Sequence, residues 1–172
     1  MEAFWISTGI VALAEIGDKT QLLALVLAAK YRKPVPIILG IFVATLLNHA
    51  VAGYFGAWLA ATIGEQMLKW ILGVSFIAMA GWMLIPDKLD EEEEKPARFG
   101  VFLTTLIAFF IVEIGDKTQV ATVFLAAKYA DVIAVVAGTT VGMMVANVPA
   151  TKDPMAAVAN ADPARPFLAI LK

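Results

Sequence analysis

Apolar residues fill five long runs of this chain, at about 3–29, 35–62, 67–85, 99–127 and 132–150, with short polar or proline-marked turns between most of them. The runs are apolar all round rather than along one stripe. At 1.5 Å per residue each reaches or approaches the roughly 30 Å of a bilayer core. The pattern predicts an all-α polytopic transmembrane helical bundle. Lys30-Tyr31-Arg32-Lys33-Pro34 after the first run has the basic, aromatic and proline content of a membrane interface. The third run carries no ionisable residue beyond Lys69 at its start, so it reads as scaffold.

Two of the runs are interrupted by the same seven residues. Glu15-Ile16-Gly17-Asp18-Lys19-Thr20-Gln21 falls near the middle of the first, and Glu113-Ile114-Gly115-Asp116-Lys117-Thr118-Gln119 lies within the fourth. Charged side chains at such depth cost about 2.5–3.5 kcal/mol each on insertion scales, so three per helix in two helices demand a function.

The duplication extends beyond the motif. Residues 13–31 laid over 111–129 match at 12 of 19 positions, seven in the motif and five in the closing Leu-Ala-Ala-Lys-Tyr. The same offset of 98 puts Gly40 over Gly138 and His49 over Asn147, so the second and fifth runs correspond as well. Three helices separate one copy from the next, and the copies therefore enter the membrane from opposite sides. This predicts an inverted-topology repeat, with three plus three helices expected and five spans evident. The divisions are a first repeat at 1–86, an acidic cytoplasmic linker at 87–98, a second repeat at 99–150 and a tail at 151–172. That tail holds Pro154, Pro163 and Pro166 among charged residues and has no apolar run near the roughly 20 residues a span needs. The sixth helix is thus missing, either because five spans are natural or because the chain is a truncated or frame-altered form.

Composition narrows the chemistry. The 172 residues are 60% hydrophobic with a mean hydropathy of +0.81, above the roughly 45–50% apolar content of soluble domains. Thirteen basic and fifteen acidic residues leave no basic stripe, which excludes nucleic acid as a partner. With no cysteine, any metal must be held by oxygen or by His49, which favours hard cations. Ala12-Leu13-Ala14 has the look of a signal cleavage site. The chain nonetheless begins Met1-Glu2 without a positive region and repeats the segment internally, so the first run is read as a helix of the mature protein. With the N-terminus outside, cytoplasmic loops hold Lys30, Arg32, Lys33, Lys88, Lys95 and Arg98, against Lys69 and Lys128 opposite. That bias predicts an inner-membrane protein with N-terminus out and the acidic loop in the cytoplasm.

On an uninterrupted helix, Glu15 and Asp18 lie about 60° apart and Lys19 about 40° to the other side of Glu15, so all share one face. Gln21 extends that face, and Gly17 lies opposite, where it permits close approach or local unwinding. Bringing the first and fourth helices together would converge Glu15, Asp18, Glu113 and Asp116. Such a set suits Ca²⁺ or Mn²⁺. Without a cation the carboxylates repel one another and take up protons, which makes proton-for-metal exchange the natural chemistry. Thr20, Gln21, Asn48, Thr118, Gln119 and Asn147 are the supporting candidates, with His49 beside them. Alternatively, Glu15–Lys19 and Glu113–Lys117 form i,i+4 ion pairs in a non-transporting scaffold, and the asparagines and His49 make interhelical hydrogen bonds worth about 0.6–2 kcal/mol.

The doubled Glu-x-Gly-Asp-Lys-Thr, the Ala-Ala-Lys-Tyr closing each copy, Asn48-His49, and Gly138 to Met144 with Ala146-Asn147-Val148-Pro149 resemble the GDT family of manganese and calcium exporters in the lysine-exporter superfamily. The resemblance covers residues 1–150. It implies a transporter and not an enzyme, exporting Mn²⁺ from the cytosol in exchange for protons, with a Ca²⁺/H⁺ antiporter as the alternative. Its implied essential acids are Glu15, Asp18, Glu113 and Asp116. No permanent cofactor is expected. The expected partners are divalent cations and the lipid bilayer, and homodimerisation is compatible with them.

Overall fold

The computed structural model describes residues 1–83 and 100–152, and every described element is helical: α1 (Glu2–Ala14), α2 (Lys19–Tyr31), α3 (Pro34–Thr62), α4 (Glu65–Met83), α5 (Gly100–Glu113), α6 (Lys117–Tyr129) and α7 (Val132–Lys152). The acidic linker at 87–98 and the tail from 153 onward lie outside the described residues, and so does the question of a sixth helix. The chain is an all-α protein. Helices α3 and α7 are long and apolar enough to cross a bilayer.

One expectation needs correcting. The runs at 3–29 and 99–127 are not single helices. Each is two half-helices, α1 with α2 and α5 with α6, and each half spans about 20 Å. The break falls in the motif both times, where Gly17 has φ +77° and Gly115 has φ +75°. A side chain at that φ is costly, and glycine escapes the penalty. The helical-wheel placement of Glu15, Asp18 and Lys19 on one face therefore does not apply.

Local chemistry closes the other boundaries. Helices α2 and α6 end in left-handed caps at Arg32 and Ala130, whose N–H groups return to Ala28 and Ala126. Pro34 opens α3 at a position where its missing N–H removes no bond. Asp131 accepts from Ala134 N–H at 3.1 Å to open α7.

The two copies interleave. Helix α1 packs on α7 while α5 packs on α3; α2 meets α7 while α6 meets α3; and α3 crosses α7 at the centre. The close approaches repeat with the same offset. A Cβ on Gly40 would stand 2.9 Å from Phe102 O, and one on Gly138 would stand 2.4 Å from Phe4 O. Phe102 and Phe4 are themselves 98 apart, as Gly138 and Gly40 are. The same backbone crossing is thus made twice, with the copies exchanging roles. Large apolar side chains such as Leu47, Tyr54, Trp58, Trp70 and Ile77 remain exposed on α3 and α4, the surface a lipid environment covers. This is a helical membrane bundle.

Candidate metal centre

Breaking a helix frees backbone groups at both new ends. At the end of α1 the chain turns through Glu15, and Asp18 N–H returns to Glu15 O at 3.0 Å; in the second copy Asp116 N–H returns to Glu113 O at 3.1 Å. Asp18 and Asp116 are then the N-caps of α2 and α6. Asp18 Oδ2 accepts from Thr20 N–H at 3.4 Å and from its hydroxyl at 3.3 Å. Asp116 Oδ2 accepts from Thr118 N–H and hydroxyl, both at 3.2 Å. The glutamines complete a variant of the capping box, with Gln21 Oε1 taking Gly17 N–H at 3.1 Å and Gln119 Oε1 taking Gly115 N–H at 2.7 Å. The duplicated motif is a duplicated helix break, and threonine and glutamine are in it to cap the second half-helix.

The carboxylates turn inward from these breaks. Glu15 and Glu113 are fully buried, and Asp18 and Asp116 are 3% and 1% exposed. Glu15, Asp18 and Asp116 each bring one oxygen to within 4.8 Å of the other two. Oxygens bound to one ion at about 2.3–2.6 Å are separated by at most about 5 Å, so the three fit around a single Ca²⁺ or a somewhat smaller Mn²⁺. The C-terminal end of α1 adds its negative dipole end to the same place.

Glu113 stands outside that group. It is held across the repeat boundary, accepting at Oε1 from the Thr45 hydroxyl at 2.6 Å and at Oε2 from Asn48 Nδ2 at 3.0 Å. The expected convergence of four carboxylates is therefore three plus one. Glu15 Oε2 accepts from the Thr20 hydroxyl and, at 3.2 Å, from Asn147 Nδ2. Glu15 Oε1 and Asn147 Oδ1 are buried with no donor among the described residues. Two such acceptors beside two aspartates give the site a surplus of oxygen lone pairs, which a cation satisfies. Asn48 and Asn147 thus reach glutamates of the opposite repeat. Among the described residues, both ring nitrogens of His49 lie buried without a hydrogen bond, and the ring takes no part in the carboxylate group.

The ion pairs also cross. Lys19 Nζ lies 3.1 Å from Asp116 Oδ1, and Lys117 Nζ lies 3.6 Å from Asp18 Oδ1. Lys19 reaches the other repeat rather than back to Glu15, because the helix that would make them i,i+4 neighbours is broken between them. Thr45 is the residue that sequence reasoning passed over. Its signal was present, since Ile41, Thr45, Asn48 and Ala52 recur at helical spacing along the buried stripe of α3.

Comparison with known proteins identifies the family of the chain. The family model described as "Divalent cation/proton antiporter GDT1" matches residues 3–91 and 101–152. A Vibrio cholerae protein named "Putative manganese exporter" is 59% identical over 150 residues, covering 87% of this chain and 74% of that protein. A GDT1-like protein of Synechocystis sp. is 26% identical over 147 residues, covering 74% of this chain and 71% of that one. No solved structure gives a significant match. Both helix breaks, both copies of the motif and all but the first residues of α1 and α5 fall inside the matched residues, and the chain belongs to the divalent cation/proton antiporter family GDT1.

Proposed function

We propose that this protein exports Mn²⁺ from the cytosol in exchange for protons, through one site built from both repeats. The observation that carries the proposal is the meeting of Glu15 and Asp18 from the first break with Asp116 from the second, three buried carboxylates within 4.8 Å. In this account Glu15, Asp18 and Asp116 hold the ion. Asn147 and Thr20 orient Glu15, and Thr118 holds Asp116 at the head of α6. Glu113, on Thr45 and Asn48, is the fourth acid and exchanges protons beside the ion. Gln21 and Gln119 keep the breaks in shape.

Charge conservation supplies the coupling. Lys19 and Lys117 answer Asp116 and Asp18, but the buried Glu15 of the same group and Glu113 still call for a cation or protons to neutralise them in a low-dielectric interior. Metal leaving toward one side and protons entering from the other are alternative ways of meeting that need. The repeats, inserted in opposite directions with boundaries at 1–86 and 99–150, present the site to each side in turn. The loop lysines and arginines favour an N-terminus outside the cell and the linker in the cytoplasm, in the inner membrane.

Mn²⁺ is the lead cargo because the relative at 59% identity carries manganese in its name. An all-oxygen donor set accommodates Ca²⁺ as well, so both ions belong in the test. Proteoliposomes loaded with a pH-sensitive dye are given Mn²⁺ or Ca²⁺ on one side. The proposal expects Mn²⁺-driven proton movement in the opposite direction, abolished by Asp18→Asn and by Asp116→Asn. A response to Ca²⁺ alone would reassign the cargo. Undiminished exchange in both variants would leave the doubled motif as a scaffold.

A further inference from the structure

Asp18 and Asp116 divide their oxygens in the same way. Each commits Oδ2 to its own half-helix, through Thr20 or Thr118, and turns Oδ1 toward the opposite repeat. The oxygen each has to offer a cation is Oδ1, and that oxygen faces an ammonium group, Lys19 at 3.1 Å from Asp116 and Lys117 at 3.6 Å from Asp18. A divalent ion bound to the same oxygen would stand within about 6 Å of the ammonium in an interior where like charges are poorly screened. The two positive groups compete.

We propose that Lys19 and Lys117 are tethered counter-ions that compete with the transported cation, holding Asp116 and Asp18 when no metal is bound and withdrawing when it arrives. The inference rests on the reading of the carboxylate group as the cation site. It gives the motif's lysine a role that neither capping nor ligation supplies. By returning to the aspartates as the ion leaves, the lysines promote release and keep the site near neutrality while the empty protein reorients. Because each lysine belongs to one repeat and its aspartate to the other, the exchange also reports metal occupancy across the boundary along which the repeats must move.

The two arms are unequal. The Lys19 side chain is 26% exposed and has room to withdraw, whereas that of Lys117 is 5% exposed and must stay within the protein. Lys117 is therefore the stronger competitor and Lys19 the readier to leave.

The test uses the full chain purified in detergent, with Mn²⁺ as the probe. Modification of Lys19 by an amine-reactive reagent is followed by mass spectrometry with and without Mn²⁺. We expect Mn²⁺ to speed the modification about threefold or more, in line with loss of a partly exposed ion pair. An unchanged or slower rate overturns the proposal. In proteoliposomes, Lys117→Met should lower the half-saturating Mn²⁺ concentration about tenfold and also lower the maximal rate, because release is slowed. Lys117→Arg should restore both toward wild type. A structural pin would behave differently: its loss would lower the maximal rate without tightening half-saturation, and that result sinks the idea. Lys19→Met, at the more exposed position, should tighten half-saturation about threefold and serves as the variant least demanding of the fold. If the wild-type protein moves no protons in response to Mn²⁺ or Ca²⁺, the transport function fails. If it does move them and Lys19 is blind to Mn²⁺, the lysine proposal alone fails.

Discussion

The stretches Glu15–Gln21 and Glu113–Gln119 share seven residues, the same backbone break and the same caps, yet their glutamates end in different company. Glu113 is gripped on both oxygens by Thr45 and Asn48. Glu15 is held on one oxygen and leaves the other without a donor among the described residues, near Asp18 and Asp116. The difference arises outside the motif. With the offset of 98, Thr45, Asn48 and His49 of α3 correspond to Met143, Ala146 and Asn147 of α7. Glu113 takes both of these bonds from the opposite repeat, and Glu15 takes one from Asn147 opposite and one from its own Thr20, so divergence of α3 from α7 makes two identical motifs unequal. Duplication built the pair of breaks, and drift in the packing helices decided which glutamate joins the aspartates.

That contrast can be broken from several directions. The aspartates come first, because both copies contribute equally there. Asp18→Asn and Asp116→Asn should each lower Mn²⁺-driven proton movement by more than about 100-fold, exceeding the roughly 10–100-fold typical of residues that only support ligands. A large loss in one and near-normal transport in the other would show that the site belongs to a single repeat. The glutamates come next and should differ. Glu15→Gln is expected to weaken Mn²⁺ binding, read by calorimetry, by about 100-fold or more, beyond the roughly 10–100-fold of a residue that only supports a ligand. Glu113→Gln keeps the Thr45 bond and sets its amide against Asn48, so a loss of about 5-fold is expected, equivalent to one buried hydrogen bond. Equal losses would mean that Glu113 joins the aspartates in the bound state.

The breaks themselves should respond alike. Gly17→Ala and Gly115→Ala meet no atom within 4 Å of the added carbon, so their cost is conformational. Each should reduce stability by about 1–2 kcal/mol, measured by denaturation in detergent. A marked inequality would show that one break is held more firmly than the other. The caps span the same range, with Gln119 at its lower end. Gln119→Ala removes its bond to Gly115, a loss of about 1 kcal/mol. Gln21→Ala should cost about twice that, since Gln21 Nε2 also donates to Ala146 O at 3.1 Å.

Much of this was legible in the chain. Continuous apolar runs gave helices and membrane insertion, and the gapless match of 13–31 with 111–129 gave the repeat. The acids were conspicuous because charge in an apolar run is expensive. The break was harder to see. A lone glycine in a long apolar run permits either close approach or local unwinding, and the glycine by itself does not distinguish Gly17 at φ +77° from Gly40, which stays helical to let α5 approach. The signal lay in combination, since Asp18 followed by Thr20 and Gln21 is an N-cap sequence set inside a run. Crossed pairing was beyond reach for a different reason. Whether Lys19 turns back to Glu15 or across to Asp116 depends on how the copies interleave, which no spacing along one helix contains.

The central claim is that residues of opposite repeats hold one cation. A double-mutant cycle on Mn²⁺ affinity with Glu15→Gln, Asp116→Asn and the double variant tests it most directly, because the two side chains act on the same bound ion only if the breaks share one. A shared site predicts strong non-additivity, with the second substitution adding little to the first and a coupling energy above about 1 kcal/mol. Losses that add to within about 0.5 kcal/mol would contradict it and assign the two acids to separate sites.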